Sequence, residues 1–385
     1  MGNTRKVRRC DEMDQAEYVA FELNKEMPAP YQKRLLEESH RERALRGGNQ
    51  GSRKVLLIGG AGYIGVIVAR YLLDCGYSVR CFDNLTYGHY FGILPFLGNE
   101  SFEFTNGDLR NTEAVEQVLT DCSDVVILAG LVGDPITKKY PDLSQEVNSV
   151  AIRALVDRLS KFPLNKILFI STCSNYGLIA DDEIAKETHE LKPLSLYASS
   201  KVEIEEYILA KQGSVDYHAT ILRFATAFGY APRMRFDLTV NEFARDLCLG
   251  KELVVYDADT WRPYCHVEDF AQIIRRVLEA PVDSVDFEIF NAGNDENNYT
   301  KRMIVDSVLK HVPSGKVVYQ KEGKDRRNYR VDFSKLHSTL LFRPEYSIDR
   351  GIQEVLTVLG QGLFQDEHLA GNNSWFGNYE IALAN

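Results

Sequence analysis

The segment Tyr197-Ala198-Ser199-Ser200-Lys201 sets a phenol and an ammonium four residues apart. On a helix, that spacing puts both side chains on one face, one turn from each other. A phenol with a pKa of about 10 is a poor base at neutral pH. A positive charge beside it favours the phenolate and turns it into a usable base. Tyr197 can then take the proton of an alcohol while hydride leaves the same carbon. Taken alone the spacing is common and reads as ordinary helix surface. Its meaning depends on whether the chain also holds a hydride acceptor.

A second pattern supplies one. Gly59-Gly60-Ala61-Gly62-Tyr63-Ile64-Gly65 follows an apolar run at 55–58 and opens an amphipathic stretch at 63–75. A tight strand-to-helix turn uses glycine for its backbone angles, and close approach of a pyrophosphate leaves no room for a side chain. The helix start offers free N–H groups and the positive end of its dipole to that anion. The next apolar run, 79–82, ends at Asp83. An acid there accepts hydrogen bonds from both ribose hydroxyls and repels a 2′-phosphate, so NAD is favoured over NADP.

These groups need a scaffold to hold them. Runs at 55–58, 79–82, 102–105, 125–129, 167–170 and 219–222 read as buried parallel strands. Helical periodicity fills the gaps at 63–75, 113–119, 143–160 and 197–211. Such alternation predicts an α/β fold, a parallel sheet covered on both faces. After about residue 223 the rhythm loosens, and loops are expected until a helix at 348–359. Three parts follow: a helical extension and linker at 1–52, a dinucleotide-binding domain at 53–223, and a smaller substrate domain at 224–385 interleaved with the first.

The glycine spacing G-x-x-G-x-x-G, the Tyr197/Lys201 pair and the segment Ser171-Thr172-Cys173-Ser174-Asn175-Tyr176-Gly177 resemble the extended short-chain dehydrogenase/reductase family. The likeness is strongest to its nucleotide-sugar epimerases and dehydratases, and covers about residues 54–360. It implies a Rossmann-type doubly wound sheet with NAD bound along Gly59, Gly62, Tyr63, Ile64 and Gly65, and at Asp83 and Asn84. Asp108 and Leu109 would flank the adenine, with Ala129, Gly130 and Leu131 beside the inner ribose and nicotinamide. Thr172 matches the hydroxyl that shares the substrate's hydrogen bond with Tyr197, and Lys201 would also hold the nicotinamide ribose. Thr226 stands where the family has a substrate-touching Asn. Arg262 and Arg327 match diphosphate grips, and Arg233 or Arg235 would meet phosphate or base. In the family's 4,6-dehydratases the two residues after the Thr are an Asp–Glu pair. Here they are Cys173 and Ser174, which disfavours loss of water.

What remains is reversible oxidation at sugar carbon 4, with two outcomes. The ketone turns and takes hydride back, giving an epimer, the first expectation. Or it departs, giving a net dehydrogenase, and segments such as Leu131-Val132-Gly133-Asp134-Pro135 resemble a branch holding GDP-heptose 4-dehydrogenases. A silent NAD sensor is the rival of another class. The family likeness also implies a homodimer joined through helices near 113–119 and 143–160, or 197–211.

Composition narrows the partners. A net charge of −10 argues against broad nucleic-acid binding. No apolar run reaches the roughly 18–20 residues that span a bilayer. Seven widely spaced cysteines without a CxxC pair argue against a disulfide framework or a metal site, and favour a reducing cytosol.

Overall fold

The computed structural model describes residues 53–180, 183–321, 323, 327–362, 364 and 376–382. The extension expected at 1–52 lies outside the described residues.

Seven strands form one sheet. They are β1 (Lys54–Ile58), β2 (Ser78–Asp83), β3 (Phe102–Asn106), β4 (Asp124–Ile127), β5 (Lys166–Thr172), β6 (His218–Phe224) and, after three strands outside it, β10 (Glu288–Ala292). Their order is β10-β6-β5-β4-β1-β2-β3, and every neighbouring pair is parallel. This is the Rossmann-type doubly wound sheet, with its order reversing between β1 and β4. All six predicted runs are strands of it.

The strands read as unbroken apolar runs because both faces are covered. Val55 and Leu57 pack on one side with Val66 and Val68 of the helix Gly65–Asp74 and with Ile273 and Val277 of Val267–Glu279. Leu56 and Ile58 point the other way, into Val115, Leu155 and Ile204 of the helices Thr112–Leu119, Ile152–Leu159 and Leu196–Leu209.

Two expectations need correction. Beyond residue 223 the chain is not mainly loop. It forms the helices Thr239–Cys248, Val267–Glu279 and Lys301–His311 and the strands β7 (Thr226–Phe228), β8 (Glu252–Tyr256), β9 (Trp261–His266), β11 (Asn298–Thr300) and β12 (Lys316–Gln320). Val267, Phe270, Ala271, Ile274, Val277 and Leu278 recur at helical spacing and are all buried; the arginines among them masked the period. The other correction concerns 143–160, read as one helix. It is broken into Pro141–Gln145, a π-helical turn Glu146–Ala151, and Ile152–Leu159. The wide turn carries Asn148 inward, where it accepts from the Leu131 N–H at 2.8 Å and donates to the Leu131 carbonyl at 3.0 Å.

Outside the main sheet, β7 and β9 pair parallel, and β11 joins β9 antiparallel. β8 and β12 form a parallel pair. Among the described residues, no helix is long and apolar enough to cross a membrane.

Candidate active site

A cavity of about 600 Å³ opens beyond the C-terminal ends of β1, β2, β4 and β5. Parallel sheets place ligands there, where the strand order reverses. Every site residue expected from the sequence lines it. Gly59, Gly62, Tyr63, Ile64 and Gly65 form the turn after β1. Asp83 and Asn84 follow β2, Asp108 and Leu109 follow β3, and Ala129, Gly130 and Leu131 follow β4. Thr172 ends β5, Tyr197 and Lys201 enter from the helix Leu196–Leu209, and Thr226, Arg235, Arg262 and Arg327 close the far side.

The three glycines differ in what demands them. Gly59 has φ +84°, and a Cβ there would lie 2.7 Å from the Ala129 backbone. On Gly65 a Cβ would lie 2.5 Å from the Gly60 carbonyl oxygen. Gly62 is under no such pressure: a Cβ would meet only the Gly59 oxygen, at 3.5 Å. The protein itself permits a side chain there, so the bareness serves what enters the cavity. The helix behind it has no side-chain cap and no acid in its first turn, so the positive end of its dipole faces an anion unopposed. Bare glycine, uncapped helix and Asp83 together fit the pyrophosphate and ribose of NAD.

Asp83 is tied down by the Ala61 N–H at 3.0 Å and the Leu85 N–H at 2.8 Å. Burial raises its pKa, against those two bonds. Asn84 donates to Asp108 at 2.9 Å. The side-chain bond from Arg110 holds Asp108 at about 2, so it stays a carboxylate. Tyr63, by contrast, has its hydroxyl occupied: it donates to the Gly229 carbonyl at 2.6 Å and accepts from Asn241 at 3.0 Å.

Ser195 starts the Tyr197 helix by accepting from the Ala198 N–H at 3.2 Å. Lys201, one turn on, donates to the Ile170 carbonyl at 2.8 Å, and its ammonium sits 5.9 Å from the Tyr197 ring centre. The expected tuning of Tyr197 by Lys201 is not what the protein alone provides. Burial raises the phenol's pKa, and the opposing charges are Arg235 and Arg327. Burial also pushes Lys201 down to about 8, against the pull of Glu205. Thr172 accepts from the Ser174 N–H at 3.1 Å.

Cys173 faces away from this chemistry. Its thiol is buried, donates to the Arg223 carbonyl at 3.0 Å, and is pushed up in pKa by burial. His266 is likewise structural: it caps the helix Val267–Glu279, pairs with Glu354 at 2.8 Å and stacks on Tyr346.

The substrate side holds groups the sequence reading did not assign. The Ser174 hydroxyl accepts from Arg327 and lies 3.3 Å from the Tyr329 hydroxyl. Arg327 also pairs with Asp134 at 3.4 Å. Arg262 spans the Trp261 and Arg327 carbonyls and lies over the Tyr329 ring. Arg235 is forked onto Asp237 at 2.7 and 2.6 Å, so its charge faces the cavity already matched. A strap at 376–382 completes the wall: Asn378 accepts from Arg233 at 2.9 Å and donates to the Val132 carbonyl at 2.9 Å, and the Ala382 N–H donates to the Thr86 carbonyl at 2.9 Å. Neither Tyr329 nor Asn378 receives a role from the sequence, and Asn378 carries no signal at all.

Residues 55–293 match the model of the NAD dependent epimerase/dehydratase family. The chain belongs to that family. Within the family, the low-salt glycan biosynthesis protein Agl12 of Haloferax volcanii is 29% identical over 308 residues, 78% of this chain and 96% of that protein. The UDP-glucose 4-epimerase of Thermus thermophilus, solved with NAD, is 25% identical with a TM-score of 0.70, covering 79% of this chain and 98% of its own. A dTDP-glucose 4,6-dehydratase of Bacillus anthracis, at 23% identity, has the same TM-score of 0.70 over 82% and 98% of the two chains. Epimerases and dehydratases of the family thus share this fold, and the choice between reactions rests on side chains.

Proposed function

We propose that this protein is a nucleotide-sugar epimerase that works through transient oxidation at carbon 4 of the sugar. The observation that carries the reading is the set Thr172, Ser174, Tyr197 and Lys201 around one cavity, with Cys173 turned into the core. Nothing at 173 or 174 can play the acid–base pair of the dehydratases, and the nearby Asp134 is engaged with Arg327.

In this mechanism Tyr197 takes the proton of the 4-hydroxyl while Thr172 shares its hydrogen bond. NAD, when bound, accepts the hydride and later returns it. Lys201 orients the cofactor's ribose. Arg262 and Arg327 hold the nucleoside diphosphate, since guanidinium forks suit phosphate oxygens. The 4-ketone turns in the cavity to offer its other face to the returning hydride, and Tyr197 gives its proton back to the ketone oxygen. The strap over the cavity supports a cofactor that stays in place between turnovers, as an epimerase needs.

Residues 53–223 would hold most of the cofactor contacts and 224–385 most of the sugar-nucleotide contacts. A cytosolic homodimer completes the proposal, its contact built on the helices Thr112–Leu119 with Ile152–Leu159, or Leu196–Leu209. Mass measurement in solution checks it.

The deciding experiment incubates the protein with UDP-, GDP-, dTDP- and CDP-sugars, follows NADH and identifies the products. A 4-epimer without net NADH supports the proposal. Keto-sugar with stoichiometric NADH replaces it with the net dehydrogenase. Loss of water makes the protein a dehydratase, and NAD binding without affinity for any sugar nucleotide makes it a sensor. Tyr197→Phe should bind NAD normally and lose nearly all turnover.

A further inference from the structure

His89 lies in the loop after β2, on the wall of the cavity, and is 2% exposed. Among the described residues, neither of its ring nitrogens has a hydrogen-bond partner. Its Nε2 is 3.8 Å from the Asp83 Oδ1, too far for a direct bond. The Tyr87 ring is tilted against it at 5.9 Å between centroids. Burial, and next the Arg233 guanidinium, push its pKa down to about 3, so the imidazole is neutral.

Buried polar atoms are rarely left unpaired, because each forfeits its bonds to water without return. This one offers a donor on one nitrogen and an acceptor on the other. A hydroxyl, which both gives and takes a hydrogen bond, is the matching group. A phosphate is not: it brings only acceptors, and it would sit against the Asp83 carboxylate. The short gap to Asp83 lets a single ribose reach both side chains.

We propose that His89 is a cofactor-binding residue that hydrogen-bonds a hydroxyl of the adenosine ribose whose diol Asp83 receives. The inference rests on the assignment of this cavity to NAD. It makes cofactor choice the work of two groups, a carboxylate that repels a 2′-phosphate and an imidazole that cannot charge to welcome one.

Binding of NAD, ADP, 2′-deoxy-ADP and 3′-deoxy-ADP to wild type, His89→Ala and His89→Gln, by calorimetry, tests it. His89→Ala should weaken NAD and ADP about tenfold, the size of one lost bond to a buried partner. His89→Gln, which keeps a donor and an acceptor, should recover part of the loss. With the deoxy analogue that lacks the contacted hydroxyl, wild type and His89→Ala should bind alike. Without cofactor, His89→Gln, which keeps most of the buried volume, should melt close to wild type, while His89→Ala loses the packing of a buried ring; the Gln variant therefore separates the lost ligand contact from lost packing. Equal NAD affinity in all three proteins, or an alanine penalty that persists with both deoxy analogues, overturns the proposal. Wild-type protein that binds neither NAD nor ADP overturns the cofactor assignment beneath it, and the proposal with it. An unaffected His89→Ala beside an inactive Tyr197→Phe overturns this proposal alone.

Discussion

Lys201 shows how far spacing informs at the scale of a residue. Its position four after Tyr197 put both in one cavity, as a helix requires. Spacing says nothing of dielectric, and burial governs both groups. Burial pushes the lysine down to about 8 in the fold, from an ordinary value of 10.5. Between those values the unfolded chain binds more protons than the native one, so stability rises with pH across that window and is penalised in full below it. Urea unfolding of cofactor-free protein should therefore show wild type gaining on Lys201→Met by about 3 kcal/mol from pH 8 to 10.5. Lys166, also pushed to about 8 by burial, titrates in both proteins and cancels in the difference. The residues that the sequence left unassigned, Asp134, Tyr329 and His89, share one cause. Tyr329 and His89 reach the cavity from loops and Asp134 from the first residue of the short helix Asp134–Lys139, and such segments are too short to show a period.

At the scale of elements, the turn after β1 was legible because its glycines are forced by geometry that recurs. The structure adds that they are not equivalent. Gly62→Ala should fold with an unchanged melting temperature and weaken NAD by about tenfold or more, because its Cβ enters only the ligand's space. Gly59→Ala should instead lose at least about 1–2 kcal/mol of stability, from its left-handed backbone alone. Thermal melts paired with NAD titrations separate the two. The helix Leu196–Leu209, which carries Tyr197 and Lys201, is moored by Glu205, which accepts from Arg223 at 2.7 Å, from Asn175 at 2.8 Å and from Ser171, all buried. Glu205→Ala strands the Arg223 charge and should cost about 3–5 kcal/mol in chemical denaturation. The π turn Glu146–Ala151 was illegible for a related reason: one extra residue in a turn shifts the period without changing composition.

For the whole molecule, the strand–helix alternation made the sheet readable, since parallel strands buried on both faces leave continuous apolar runs. The strap was not readable, because residues 376–382 form neither strand nor α-helix and act through single contacts such as Asn378 with Arg233. Stopping the chain after residue 377 keeps Phe376 in its aromatic cluster but removes Asn378 and Ile381 from the cavity wall. NAD dissociation should then quicken by about tenfold, the equivalent of one buried charged contact, while the melting temperature falls only modestly; stopped-flow release of NAD checks it. The net charge of −10 gives no attraction to anionic ligands, so these local contacts carry the affinity.

The cavity takes one wall from Ile58 and another from Ile381. Synthesis delivers these far apart in time, at about 5–20 residues per second. A nascent chain paused after β6 already owns six strands and the phosphate turn, yet its last strand is an open edge until β10 arrives to pair with it. Such an edge invites pairing with another chain. Cofactor capture therefore belongs to the finished polypeptide, and the ribosome-bound interval before β10 is the stage at which this protein most needs a chaperone.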